Sequence, residues 1–253
     1  MRIFISVVSH YDHATIINMG SIKRLAKYDD ITVLCRDNVP NPILQQACLD
    51  YKCHYIANSC EQGFAKNNND NFLYAQKSLG MNNDDYFMLL NPDVTIDEIN
   101  IEKLIQSLKT SKKFVSMPMF LDIEKRIYDD HLRYYPKLSD FIKSYLYNDR
   151  KTMLSAGEIT TPKKAIWVSG ALMVLNARLF EKVGMLHDKY YLYCEDIDLC
   201  LRLKKVGVVP EVLVDISAIH CRQRKSKTLF SRYFCWHFHS VLRYQCRRLL
   251  NRF

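Results

Sequence analysis

The chain has no apolar run long enough to cross a bilayer. Its longest, around residues 165–175, is interrupted by Ser169 and Gly170, well short of the roughly 18 apolar residues of a spanning helix. The opening Met1-Arg-Ile-Phe-Ile-Ser-Val-Val-Ser-His10 has too short an apolar stretch for a secretory signal and no small-residue cleavage site after it. A chain that is neither exported nor membrane-spanning is therefore expected. Glycine is scarce, 7 of 253 residues, and there is no Gly-x-Gly-x-x-Gly and no phosphate-binding loop, so dinucleotide and ordinary ATP chemistry lose support. The 9 cysteines form no Cys-x-x-Cys pair and no Cys/His zinc spacing. An odd set of this kind is expected of reduced thiols in a cytoplasm, with Cys35, Cys194 and Cys200 as packing residues inside apolar patterns. Internal repeats and low-complexity runs are absent. Acid is missing from one region: residues 222–253 hold nine Lys or Arg and no Asp or Glu. The whole chain has 36 basic and 27 acidic residues, so residues 1–221 balance at 27 against 27 and the tail carries the entire net charge of +9.

What is present is a folded-protein composition, 48% hydrophobic and 25% charged, with a regular alternation in its first half. Apolar, β-branched runs at 3–8, 31–35, 53–57 and 85–90 read as strands. Helical patterns at 14–27, 42–51, from about 70 to 79 after a loop at 63–69, and 99–109 lie between and after them. That order predicts an α/β protein with a mostly parallel, Rossmann-like sheet covered by helices on both faces. Ligands in such sheets bind beyond the carboxyl ends of the strands, where His10, Asp37 and Asn91-Pro-Asp93 fall. Further on, 114–119 reads as a strand, 122–136 as a polar loop holding Arg133, 138–147 as a short amphipathic helix, 148–164 as a mobile segment and 208–216 as a strand region.

The densest chemistry is Tyr193-Cys-Glu-Asp-Ile-Asp-Leu-Cys-Leu-Arg-Leu203, which puts Glu195, Asp196 and Asp198 at the mouth of a helical pattern. Leu199, Leu203 and Val206 follow Asp196 at i+3, i+7 and i+10, which places this acid at the head of the inward stripe. Asp198 and Arg202, four apart, would pair on the other face. The helix N-terminus would favour ionised Asp196, although an acidic first turn that merely complements a helix dipole gives the same pattern. Asn91-Pro-Asp93 is likewise either a site carboxylate fixed in a tight turn or a turn that stops a strand. His220 is either structural or a metal-side imidazole.

Four stretches in order, 63–69 (Gly-Phe-Ala-Lys-Asn-Asn-Asn), 90–94 (Leu-Asn-Pro-Asp-Val), 167–174 (Trp-Val-Ser-Gly-Ala-Leu-Met-Val) and 193–203, resemble the inverting family 2 glycosyltransferases of the GT-A fold. The resemblance runs from residue 1 to about 240. Within the family the chain looks most like the bacterial rhamnosyltransferases of O-antigen synthesis that act on N-acetylglucosaminyl-diphospho-undecaprenol. The resemblance implies dTDP-β-L-rhamnose as donor, a polyprenyl-diphosphate-linked sugar as acceptor, and Mn²⁺ or Mg²⁺. It makes Asp196 the catalytic base with Glu195 beside it, and Asp37 the contact to the nucleotide base. Asp93 and His220 become the metal residues, with Asn91 standing where the motif usually has its first acid. Trp167 and Gly170 line the acceptor side, and His10, Gly63, Phe64, Asn69, Asn91, Arg133 and Arg202 count with them as substrate-binding. Arg222, Arg224 and Lys225 would add positive charge near the diphosphate. His187 stands where the family usually has Asp.

Two domains are expected, a GT-A catalytic domain at 1–221 and a basic amphipathic tail at 222–253. The tail interleaves Leu229, Phe230, Tyr233, Phe234, Trp236, Phe238, Val241, Leu242 and Tyr244 with Arg232, Arg243, Arg247 and Arg248. It suits either an anionic membrane surface, which would place the protein peripherally on the cytoplasmic face of the bacterial inner membrane, or a helix packed on the catalytic domain. A nucleic-acid partner is not expected. The same fold acting on another nucleotide sugar, and a non-catalytic anion-binding module, stand as alternatives; the second leaves acids at strand ends unexplained.

Overall fold

The alternation in the first half folds as strand and helix because each apolar run is punctuated by a residue that can end it. In a computed structural model that describes residues 1–222 and 232–250, these elements are β1 (Ile3–Ser9), α1 (His13–Met19), α2 (Ser21–Leu25), β2 (Ile31–Asp37), α3 (Pro42–Asp50), β3 (His54–Ala57), α4 (Phe64–Leu79) and β4 (Tyr86–Leu90). The single helix expected at 14–27 is two, because Gly20 adopts the left-handed conformation (φ 61°) and its N–H closes α1 on Ile17. Asn41 caps α3 by accepting from the N–H groups of Ile43 and Leu44, with Pro42 at the first helical position.

The later elements are β5 (Val94–Thr95), α5 (Glu98–Leu108), β6 (Phe114–Ser116), β7 (Met119–Phe120), β8 (Leu132–Tyr134), α6 (Leu138–Tyr147), β9 (Ile166–Val168), β10 (Leu172–Asn176), α7 (Ala177–Lys182), α8 (Glu195–Lys205), β11 (Glu211–Val212), β12 (Ala218–His220) and α9 (Arg232–Leu249). Seven strands form the main sheet in the order β11-β6-β10-β4-β1-β2-β3. All its neighbours are parallel except β10, which runs antiparallel to β4 and β6. Strand alternation divides the core in two. Ile3, Ile5 and Val7 face α1, α2, α3 and α5. Phe4, Phe87 and Leu89 face α4, α7 and α8. The central strands are buried on both faces, as parallel strands between helices must be.

Two interruptions carry chain from this sheet to the site. The strand expected at 114–119 splits at Met117-Pro118; proline has no N–H for a ladder, and β7 leaves for a small sheet of order β5-β12-β7. The apolar run at 165–175 splits at Ser169-Gly170 into β9, paired with β8, and β10, in the main sheet. Of the region expected as strand at 208–216 only β11 is one, and 148–164 includes a 3-10 turn at Ala156–Glu158.

Helix α9 lies against α8. Its Val241 and Tyr244 are buried with Tyr190, Cys194 and Ile197. Ser240 Oγ donates to the Leu192 carbonyl at 2.8 Å and Arg247 Nε to Asp198 Oδ1 at 2.8 Å. Leu229 and Phe230 lie outside the described residues. No helix among the described residues is long and apolar enough to cross a membrane.

Candidate active site

The carboxyl ends of β1, β2 and β4 open into a cleft of about 580 Å³. His10 follows β1, Asn38 follows β2, and Asn91-Pro92-Asp93 follows β4; all but Asp37 of the strand-end residues named from sequence line the cleft. A buried amide network fixes this end. Arg36 donates to Asn58 and Asn71, Asn58 to Asn38 and Asn67, and Asn38 Nδ2 lies 3.0 Å from His10 Nδ1. The asparagine run of α4 therefore works as a fastener, and Asn69 belongs to it: the side chain is buried and exchanges two hydrogen bonds with the backbone of Leu186, away from the cleft.

Sheet register builds the next part. β12 pairs antiparallel with β5, with His220 opposite Val94, which sets the imidazole beside Asp93. His220 Nε2 lies 3.3 Å from Asp93 Oδ1, and Nδ1 lies 2.5 Å from Asp129 Oδ2. A neutral imidazole has a single N–H and can donate to one of these carboxylates only. The other contact is favourable when that nitrogen carries a second proton or shares a metal cation. An imidazole nitrogen and a carboxylate oxygen are also a donor set that suits Mn²⁺ or Mg²⁺, when substrate phosphate oxygens complete the shell. The pair thus fits a divalent ion. No group of three or more His, Cys, Asp or Glu side chains with metal-holding geometry is assembled among the described residues. Arg222 is paired with Asp129 and Asp130; Arg224 and Lys225 lie outside the described residues.

β8 and β9 form the far wall. His131 Nε2 lies 2.8 Å from the Met117 carbonyl, and burial pushes the imidazole down to about 3, so it is neutral with that nitrogen donating. Arg133 donates to Asp130 and lies over the ring of Trp167, whose indole N–H donates to the Tyr134 carbonyl. The turn between β9 and β10 then meets the head of α8. The Gly170 N–H donates to Asp196 Oδ2 at 3.0 Å and the Ile197 N–H to Oδ1 at 2.8 Å. Burial raises the Asp196 pKa and these N–H bonds oppose it, with burial the larger effect. The helix terminus does not by itself set this group's charge, as the sequence had implied. Neighbouring Glu195 is buried, with Oε2 lacking a partner among the described residues, and burial and the Asp196 charge hold it well above the carboxylate range.

Of the residues named from sequence, His10, Phe64, Asn91, Asp93, Arg133, Trp167, Asp196 and His220 line one cleft. Six do not. Asp37 is fully buried, with Oδ2 accepting from the Asn41 N–H and the Tyr55 hydroxyl and Oδ1 lacking a partner among the described residues. Gly63 is a close approach: a Cβ there would stand 2.5 Å from the Tyr191 carbonyl oxygen. Gly170 packs on Phe64 and holds Asp196 from behind. Asn69 and Glu195 are buried as described. Arg202 is turned away. Its Nε donates at 2.7 Å to Asp198, a carboxylate with no exposure that also takes Arg247 and the Tyr190 hydroxyl. The Asp198–Arg202 pair forms, but under α9 rather than on a solvent face, and Val206, expected to continue the inward stripe, is exposed at the helix end. His187 is a turn residue whose Nδ1 accepts from the Lys189 N–H.

Cleft residues that sequence reasoning did not place in the site include Asn38, Asp129, His131 and Tyr191, and also Trp236 and His237, which it read as part of the tail. Only the Asp129-Asp130-His131 run inside a polar loop gave a local signal. Immediately before Asp196 the backbone is strained, with Tyr193 and Cys194 both left-handed at φ 69° and 65°. Such strain persists where the surroundings over-determine it. Here α9 does so, with Trp236 4.5 Å from Tyr191 and His237 4.9 Å from Tyr193, centroid to centroid.

No family model matches the chain. It is 31% identical over 248 residues to the rhamnosyltransferase WbbL of Escherichia coli K12, covering 97% of this chain and 93% of that protein. It is 25% identical over 211 residues to the dTDP-rhamnosyl transferase RfbF of Shigella flexneri, covering 83% and 66%. In fold it is similar to the mannosyltransferase PcManGT from Pyrobaculum calidifontis, solved with GDP-Man and Mn²⁺ (TM-score 0.60, 12% identity, 96% of this chain and 64% of that one). It is similar also to S. aureus TarS 1-349, solved with UDP-GlcNAc (TM-score 0.58, 11% identity, 96% and 66%). The chain spans just under two thirds of each of these two structures, and at such identities the likeness is one of fold.

Proposed function

The chain belongs to the family 2 rhamnosyltransferases of the GT-A fold, and from that premise we propose that it moves L-rhamnose, with inversion, from dTDP-β-L-rhamnose to N-acetylglucosaminyl-diphospho-undecaprenol in O-antigen synthesis. A hexosyltransferase replaces the idle anion-binding module. The observation that carries the proposal is that Asp196 and the Asp93–His220 pair line one cleft. In-line displacement needs a base on one side of the anomeric carbon and a site for the leaving diphosphate on the other.

Asp196, held through both oxygens by the N–H groups of Gly170 and Ile197, takes the proton of the acceptor hydroxyl as that oxygen bonds to the anomeric carbon. The bond from that carbon to the diphosphate breaks in the same step, so no covalent intermediate on the protein is required. Asp93 and His220 would hold a divalent ion, which would supply Lewis-acid neutralisation of the leaving diphosphate. Trp167 and Arg133 stand on the acceptor side. The base contact expected of Asp37 would require its buried carboxylate to turn out of the β2–α3 turn, where Asn41 and Tyr55 hold it.

The test is transfer to a synthetic N-acetylglucosaminyl-diphospho-lipid with dTDP-rhamnose offered beside UDP- and GDP-sugars. Turnover with dTDP-rhamnose is expected; turnover only with another donor overturns the donor assignment and leaves the transfer mechanism.

A lipid-linked acceptor also motivates a peripheral position on the cytoplasmic face of the inner membrane. The division at 221/222 is then one of roles rather than of folding units. The outer side of α9 exposes Phe238 and Leu242, with Arg232 exposed at the start of the helix, and α6 exposes Leu138 and Ile142 nearby. Apolar groups among cations suit an anionic leaflet. Deleting the tail would strip the cover from Tyr190 and Ile197, so point changes are the cleaner probe. A double variant with Phe238→Glu and Leu242→Glu is expected to sediment with phosphatidylglycerol vesicles at least several-fold less than wild type at an unchanged melting temperature. Equal sedimentation excludes this face as the membrane contact.

A further inference from the structure

Asp129 has the geometry of an orienting group. Its side chain has no solvent exposure. One oxygen lies 2.5 Å from His220 Nδ1 and the other takes the Arg222 guanidinium. Asp129 reaches this place because its backbone N–H donates to the Met119 carbonyl at 2.8 Å, beside the strand that pairs with β12. The imidazole is thus carried on β12 and the carboxylate on the loop hydrogen-bonded to β7, the neighbour of β12 in the small sheet.

We propose that Asp129 is a positioning residue for the divalent ion: by accepting from Nδ1–H it keeps the His220 tautomer whose Nε2 lone pair is directed at Asp93. The chemistry is that of a carboxylate–histidine–metal relay, in which the outer carboxylate fixes the ring and makes the ligating nitrogen more basic. The two orientations of the ring are not equivalent here. With the proton on Nε2 the lone pair would face the Asp129 carboxylate, two acceptors without a shared hydrogen, and the nitrogen beside Asp93 would be unable to ligate. Arg222 offsets the charge of Asp129 from the side away from the ring, so the buried carboxylate stays paired when the metal side is empty or filled. This rests on the reading that Asp93 and His220 hold a divalent ion, and it holds for any nucleotide sugar.

The experiment measures Mn²⁺ affinity by electron paramagnetic resonance in the presence of dTDP, for wild type, Asp129→Asn and Asp129→Ala. Nitrogen NMR of the histidine side chains, with His220→Gln assigning the signal, reports the tautomer in parallel. The variants are expected to bind Mn²⁺ roughly 10–100-fold more weakly. The Nδ1–H tautomer is expected to dominate in wild type and lose that dominance in Asp129→Asn. dTDP affinity in EDTA, which a purely structural defect would lower, is expected to stay within about twofold. Mn²⁺ affinity and tautomer unchanged in both variants overturn the positioning role while leaving the metal site. A wild-type protein that binds no Mn²⁺ or Mg²⁺ removes the metal reading and this role with it. Failure of rhamnose transfer alone touches neither.

Discussion

Asp196→Asn is expected to lower turnover by about 10²–10⁴-fold, the range that a positioned general base contributes, with the acceptor KM little changed. The amide matches the carboxylate in shape. Its carbonyl oxygen still accepts from the Gly170 N–H, but the NH₂ that replaces the other oxygen meets the Ile197 N–H, so one supporting bond is lost. The pH dependence follows from the same environment. The base works ionised, and burial raises its pKa above the ordinary value, so wild-type kcat should fall as pH drops through that raised value and the residual Asn activity should not show this limb. Linkage gives the converse for stability. A carboxyl whose folded pKa lies above the unfolded one favours the folded state most below the unfolded value, and that contribution is lost as pH rises through the folded value. Asp196 and Glu195 are both of this kind, each raised chiefly by burial. Asp196→Asn and Glu195→Gln are therefore expected to melt higher than wild type at neutral pH and to lose the advantage near pH 4. Retained turnover in Asp196→Asn would sink the base assignment. An inactive variant that also melts lower would point to a structural role instead.

The part of the site that was legible in sequence is the part built by strands that pair in a simple order. His10 and Asp93 stand at the ends of β1 and β4, whose apolar runs announce a buried parallel sheet, and the rule for such sheets places ligands there. Asp196 was legible as an acid at the head of a helix. The residues that sequence did not place depend on chain arriving from far away. Asp129 matters because β7 pairs with β12, about 100 residues later, and nothing within its polar loop records that pairing. Asp198 and Arg202 show an i,i+4 ion pair that reads as a surface feature until α9 covers it and adds Arg247. Asp37 ends a strand just as His10 nearly does, but the N-terminus of α3 follows at once and its Asn41 N–H turns the carboxylate inward. The tail offered two readings, membrane surface or packed helix. The described turns do pack, since Val241, Tyr244 and Ser240 face the core, and they still leave Phe238 and Leu242 exposed.

Asp93→Ala should rank next in effect, lowering turnover by about 10²–10³-fold, because a Lewis acid at a leaving diphosphate is worth several kcal/mol. The geometry makes the loss specific. Asp93 is held by its own backbone, its carbonyl accepting from the Cys221 N–H at 2.9 Å, while the turn after β4 closes through Val94 N–H to the Asn91 carbonyl. Truncation at Cβ leaves those bonds and removes only the carboxylate 3.3 Å from His220. Asn91, which stands where the motif of similar enzymes has another acid, is a neutral oxygen donor that adds little to the hold on a cation. The site then depends on one carboxylate and one imidazole more heavily than a site with two acids would. EDTA should therefore reduce wild-type activity to the level of Asp93→Ala, added Mn²⁺ should restore wild type fully, and millimolar Mn²⁺ should restore the variant only in part. If chelation left wild type active while Asp93→Ala was dead, the carboxylate would have to act on the substrate directly, since a residue whose role is to hold a cation cannot matter when the cation does not.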